Sequence, residues 1–141
     1  MLKGKTPLTI CFLLAAVFST GLSYAQMTRI SVGYSAISVA GSGHLIGGPN
    51  PGEGNVIAGH NYRNFSRANR PAGIRIGGGN ATHDIAIQGN RIGTDASGAR
   101  AVPNRKGIII EDTFFDEAPH DILIGGPTAA HGNIIAYNAE V

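Results

Sequence analysis

The sequence has no tryptophan and a single cysteine, Cys11, which lies inside an apolar run near the N-terminus rather than at the end of one, where a lipidated cysteine stands. With no second thiol no intrachain disulfide forms, so whatever folds must be held by packing. Aromatic residues make up only 6% of the chain, too few for an obvious row of rings on which sugars stack. The apolar run Leu8 to Phe18 falls short of the ~20 residues that a helix needs to cross a bilayer, and no stop-transfer sequence follows it. A surplus of positive charge is also missing once the leading segment is set aside, which argues against a nucleic-acid partner.

That leading segment has the pattern of a secretory signal peptide. Lys3 and Lys5 precede the run from Leu8 to Phe18, and Ser23-Tyr24-Ala25 forms a small-x-small cleavage site before Gln26. Removing residues 1–25 takes away Cys11 and two of the 11 basic residues, leaving the remainder level with the 9 acidic ones. The net charge of +2 is therefore a property of the leader. The expected organisation is a signal peptide over 1–25, a first strand or end cap over 26–35, and a repeat region over 36–141. Localisation is expected to be secreted, extracellular or at the cell surface, with no membrane span after cleavage.

The repeat region is built around Gly73 to Ile92, which reads as three short strands, Gly73-Ile74-Arg75-Ile76, Asp84-Ile85-Ala86-Ile87 and Gly89-Asn90-Arg91-Ile92, with no helical period between them. A first set, 36–39, 44–46 and 54–57, and a third, 107–110, 121–124 and 132–135, repeat the scheme. Leu45-Ile46-Gly47-Gly48-Pro49 recurs as Leu123-Ile124-Gly125-Gly126-Pro127, and Gly54-Asn55-Val56-Ile57-Ala58 as Gly132-Asn133-Ile134-Ile135-Ala136, both 78 positions later. Loops over 47–53, 58–72, 93–106, 111–120 and 125–131 absorb the differences in length.

Strands that cannot bury an apolar face alone must stack, like on like. The spacing predicts four core columns: Ile37, Ile74 and Ile108; Val39, Ile76 and Ile110; Ile46, Ile87 and Ile124; Ile57, Ile92 and Ile135. His44 falls in line with Ile85 and Ile122, which would turn it inward. Asn55, Asn90 and Asn133 align as a structural ladder, since asparagine tolerates left-handed turn angles and its amide can donate to the next asparagine along.

This combination of G-I-x-I, D-I-x-I and G-N-x-I strands, with the loops Ile92-Gly93-Thr94-Asp95-Ala96-Ser97-Gly98 and Ile46-Gly47-Gly48-Pro49, resembles the right-handed parallel β-helix repeats of secreted bacterial proteins, over roughly residues 36–138. The resemblance implies an all-β fold of about three coils, shared by pectate lyases, polygalacturonases and large non-catalytic surface proteins. It is a likeness of scaffold, and a scaffold constrains chemistry weakly. The left-handed hexapeptide kind is disfavoured because no six-residue period is present.

Three functions compete. The first is a secreted or cell-surface scaffold, adhesin-like and without catalytic activity. The second is a polysaccharide-active enzyme of pectate-lyase type, or its remnant, a lyase or glycoside hydrolase. It would use the acidic loop that carries Glu111, Asp112, Asp116, Glu117, His120 and Asp121 beside Phe114 and Phe115. Calcium is the ion such a loop would take, although it lacks the spacing of a calcium hand, and a charged insertion solvated between strands would read the same. The third is an acidic-glycan-binding module that uses Arg63, Arg67 and Arg70, again in a stretch that reads equally as a solvated loop. Asp95 reads as a turn residue. His44, His60, His83, His120 and His131 show no metal-ligand spacing, and no metal or cofactor is otherwise implied. After Asn138 the pattern calls for another G-I-x-I strand where the sequence stops, so truncation, or end-to-end association of copies, is expected.

Overall fold

A computed structural model describes residues 35–61, 71–111 and 118–140. Within them lie nine short strands: β1 (Ile37–Val39), β2 (His44–Gly47), β3 (Val56–Ile57), β4 (Ala72–Ile76), β5 (Ile85–Gln88), β6 (Arg91–Ile92), β7 (Lys106–Ile110), β8 (Ile122–Ile124) and β9 (Ile134–Ile135). Single 3₁₀ turns at Gly79–Ala81 and Ala129–His131 are the helical elements among the described residues. The strands are too short and too rich in isoleucine to stand alone; each needs a neighbour along an edge and a partner on its apolar face.

They find both by forming three parallel sheets, in the orders β1-β4-β7, β2-β5-β8 and β3-β6-β9. The chain thus visits the three sheets in turn, three times over, and each pass is here called a winding. Register follows the isoleucines. Ile37, Ile74 and Ile108 are Cα partners, as are Val39, Ile76 and Ile110. Ile46, Ile87 and Ile124 form a third column, and Ile57, Ile92 and Ile135 a fourth. A fifth inward column runs His44, Ile85, Ile122, with the His44 ring half-buried and its Nε2 3.2 Å from the Ala40 carbonyl oxygen.

Burial is uneven along the stack. Val39, Ile46 and Ile57 of the first winding are 3%, 8% and 3% exposed, and Ile74, Ile76, Ile87 and Ile92 of the second are fully enclosed. Their third-winding partners Ile110, Ile124 and Ile135 are 45%, 44% and 46% exposed. Three of the four expected columns are therefore buried in the first two windings and exposed in the third, where β7, β8 and β9 have no further described strand beneath them. Ile109 departs the other way. It aligns with the outward Ser38 and Arg75, yet is only 9% exposed.

The strand limits also shift. Ala72 and Lys106, expected in loops, are register partners in the first sheet, and Ala72 is completely buried. Asp84 and Asp121, expected in strands, are corners with φ of 54° and 51°. Gly43 occupies the same place in the first winding, at φ 73°. A strand cannot continue through a left-handed residue, so β5 and β8 begin one residue later. Between β6 and β7 the chain makes an excursion that Thr94 and Ala101 close as an antiparallel bridge.

Candidate functional site

Polar side chains inside the stack hold one winding to the next. Asn90 is almost wholly enclosed. Its Nδ2 donates to the carbonyls of Ile46 and Gln88, both at 2.9 Å, and to Asn133 Oδ1 at 3.0 Å. Its Oδ1 accepts from the backbone N–H and the Nδ2 of Asn55, both at 3.0 Å, and its own N–H donates to Asn133 Oδ1 at 2.9 Å. Asn133 Nδ2 donates in turn to the Ile87 carbonyl at 2.7 Å. The three asparagines therefore bond in series across the windings, and none is left-handed; the positive φ in that corner belongs to Gly89, at 67°. The reason is steric. A Cβ on Gly89 would run into the Gly48 carbonyl, so the tight bend falls to the residue with none.

A second asparagine column, absent from the sequence reading, fills another corner. Asn104 Oδ1 accepts from the His60 N–H at 3.0 Å, while its Nδ2 donates to the Ile57 carbonyl at 2.9 Å and to Asn138 Oδ1 at 3.1 Å. Asn138 Nδ2 donates to the Ile92 carbonyl at 3.2 Å. Asn138 stands three residues after Ile135, as His60 does after Ile57, but twelve residues separate Ile92 from Asn104. The excursion hides the alignment. Buried Thr82 serves a third corner, accepting from the Gly41 N–H and donating to the Gly77 carbonyl, each at 3.1 Å.

Of the acidic-loop residues, Glu111, His120 and Asp121 are described, whereas Asp112, Asp116 and Glu117 lie outside the described residues. Glu111 follows β7 and pairs with Arg75 of β4, one winding away. His120 and Asp121 precede β8. The His120 Nδ1 donates to Asp121 Oδ2 at 2.9 Å, and one winding above, His83 Nδ1 donates to Asp84 Oδ2 at 2.8 Å. The two imidazole rings stack with centroids 5.1 Å apart and planes 6° from parallel. This doubled His–Asp pair is what the fold assembles on the outside. Two causes bring it together: the in-register Ile85 and Ile122, and the left-handed corners that turn both aspartates outward. The hydrogen bond that His120 donates to Asp121 raises the His120 pKa above its ordinary value, more than partial desolvation lowers it.

Among the described residues, no group of three or more His, Cys, Asp or Glu side chains converges as a bound metal requires. Arg63, Arg67 and Arg70 lie outside the described residues. Asp95 holds the tip of the excursion. Its Oδ1 accepts from Ser97 Oγ at 2.7 Å and from the Arg100 N–H at 3.3 Å, and the Ser97 bond lowers the Asp95 pKa. Glu53 closes the first-winding loop by accepting from the side chain and backbone of Asn50, which lowers its pKa as well. No described helix is long and apolar enough to cross a membrane.

In comparisons with known proteins, no family model, no curated sequence and no solved structure matches the chain.

Proposed function

We propose that the chain is a right-handed parallel β-helix module of an exported protein, serving as a secreted or cell-surface scaffold of adhesin-like type without catalytic activity of its own. The coil reading is supported by the return of the chain to three sheets in constant order and register. The right hand follows from the strong steric preference of parallel crossovers. Export rests on the pattern of residues 1–25.

The observation that carries the scaffold reading is where the polar side chains are spent. Asn90, Asn104 and Thr82 are buried and bonded to the backbone of neighbouring windings. Outside, Arg75 pairs with Glu111 and Arg105 with Glu140.

The test has two arms. Expressed in a secreting host, the protein should be recovered outside the cell with Gln26 at its N-terminus. Incubated with polygalacturonate, with and without calcium, it should release neither unsaturated products nor new reducing ends. Release that disappears in His120→Gln or Asp121→Asn would instead establish a polysaccharide-active enzyme working at the doubled His–Asp pair.

A further inference from the structure

One dipeptide recurs in one place. His83-Asp84 and His120-Asp121 occupy the same corner of the second and third windings, immediately before the in-register Ile85 and Ile122. In the first winding that corner is Ser42-Gly43, ahead of His44, so among the described residues it holds two histidines. All four side chains lie outside the core: His83 and His120 are 36% and 51% exposed, Asp84 and Asp121 67% and 71%.

Each ring is held in one tautomer. A carboxylate only accepts, so the bonds from His83 Nδ1 to Asp84 and from His120 Nδ1 to Asp121 put the proton of the neutral ring on Nδ1 and the lone pair on Nε2. Histidine ligates transition metals in this way, with a carboxylate behind the ring that fixes its orientation and makes the free nitrogen more basic. Because the rings are 6° from parallel and each turns Nδ1 to its own aspartate, the two free nitrogens look out the same way, one winding apart.

An ion held ~2.0–2.1 Å from each nitrogen needs the pair within roughly 4 Å, so rings whose centroids are 5.1 Å apart must lean together by about 1 Å. Both rings are exposed enough to tilt about their anchored Nδ1 ends while the strands behind them stay in register. The backbone of Asn80 also bonds the His120 ring, and the ion must displace the proton held there. Two side chains cannot build the closed tetrahedral cage of a structural ion, but they suffice for an open site in which water takes the remaining positions.

We propose that His83 and His120 form a two-histidine site for a divalent transition-metal ion that favours imidazole, Zn2+ or Cu2+, with Asp84 and Asp121 as the positioning residues behind the rings. The inference goes beyond the scaffold reading and stands without it.

Titrated with Zn2+ alone, the full chain should bind one equivalent, and in NMR spectra the ring signals of His83 and His120 should move together while those of His44, His60 and His131 stay in place. His83→Gln and His120→Gln should each weaken binding by about a hundredfold, since a single imidazole then holds the ion. Asp84→Asn and Asp121→Asn, which tolerate the left-handed corner, should each weaken it by about tenfold or more. An ion that ties the second winding to the third should also raise the unfolding temperature of the parent and leave that of His83→Gln where it was. With Cu2+, electron paramagnetic resonance should show two equivalent nitrogen ligands in the parent and one in either histidine variant. Failure to bind, shifts confined to other histidines, or equal affinity in the parent and His83→Gln would each overturn the site, and unchanged affinity in both aspartate variants would overturn the role given to Asp84 and Asp121.

Discussion

Asn90 offers more hydrogen-bonding capacity to the fold than any isoleucine, and its replacement separates shape from polarity. In Asn90→Asp the carboxylate keeps the shape but loses the two N–H donors that satisfy the Ile46 and Gln88 carbonyls. Urea denaturation should show a loss of about 2–4 kcal/mol. Asn55→Ala, which removes a single side-chain donor and keeps the backbone N–H in place, should cost about 1 kcal/mol. At the surface, His120 should titrate above 6.5 in an NMR pH series and fall back toward the ordinary value in Asp121→Asn. Because its folded pKa is raised, the stabilisation from this pair is complete below the pKa of an unfolded histidine and disappears as pH climbs through the folded value. With the ring in solvent the effect is small and fades with salt.

Among the elements, the corners matter more than the strands, and they were the less legible part of the sequence. Strand identity and register could be read because β-branched residues recur at every second position and the motif returns 78 residues later. The corners could not, since nothing local distinguishes an aspartate that opens a strand from one that sits in the left-handed region before it. The same obstacle hid the Asn104–Asn138 column, whose members share no flanking motif. Asp84 and Asp121 supply a direct test of the corner. Asp84→Val should lose about 1–3 kcal/mol, because a β-branched side chain tolerates φ near 54° poorly. Asp84→Gly should stay within about 1 kcal/mol of the parent in the same denaturation series, as Gly43 already does this work one winding earlier. The candidate site was half legible. The acidic residues stood out by composition, but the stacking of His120 on His83 depends on a separation of 37 residues that only the register supplies.

At the scale of the whole molecule, stability should be graded along the stack. Ile76→Ala empties a position packed on all sides and should cost about 2–5 kcal/mol, whereas Ile124→Ala, nearly half exposed in the single chain, should cost less than about 1.5 kcal/mol in the monomer. Equal losses would mean that the third winding is as well covered as the second. The repeat unit is tolerant in a different respect. Where the excursion between β6 and β7 leaves the stack at Thr94 and comes back at Ala101, its two ends are pinned beside each other, so the distance travelled outside has no bearing on where β7 lands. The segment between those anchors should therefore accept a change of length without disturbing the pitch of the stack, except at Gly98, where an added Cβ would meet Ile134 Cδ1.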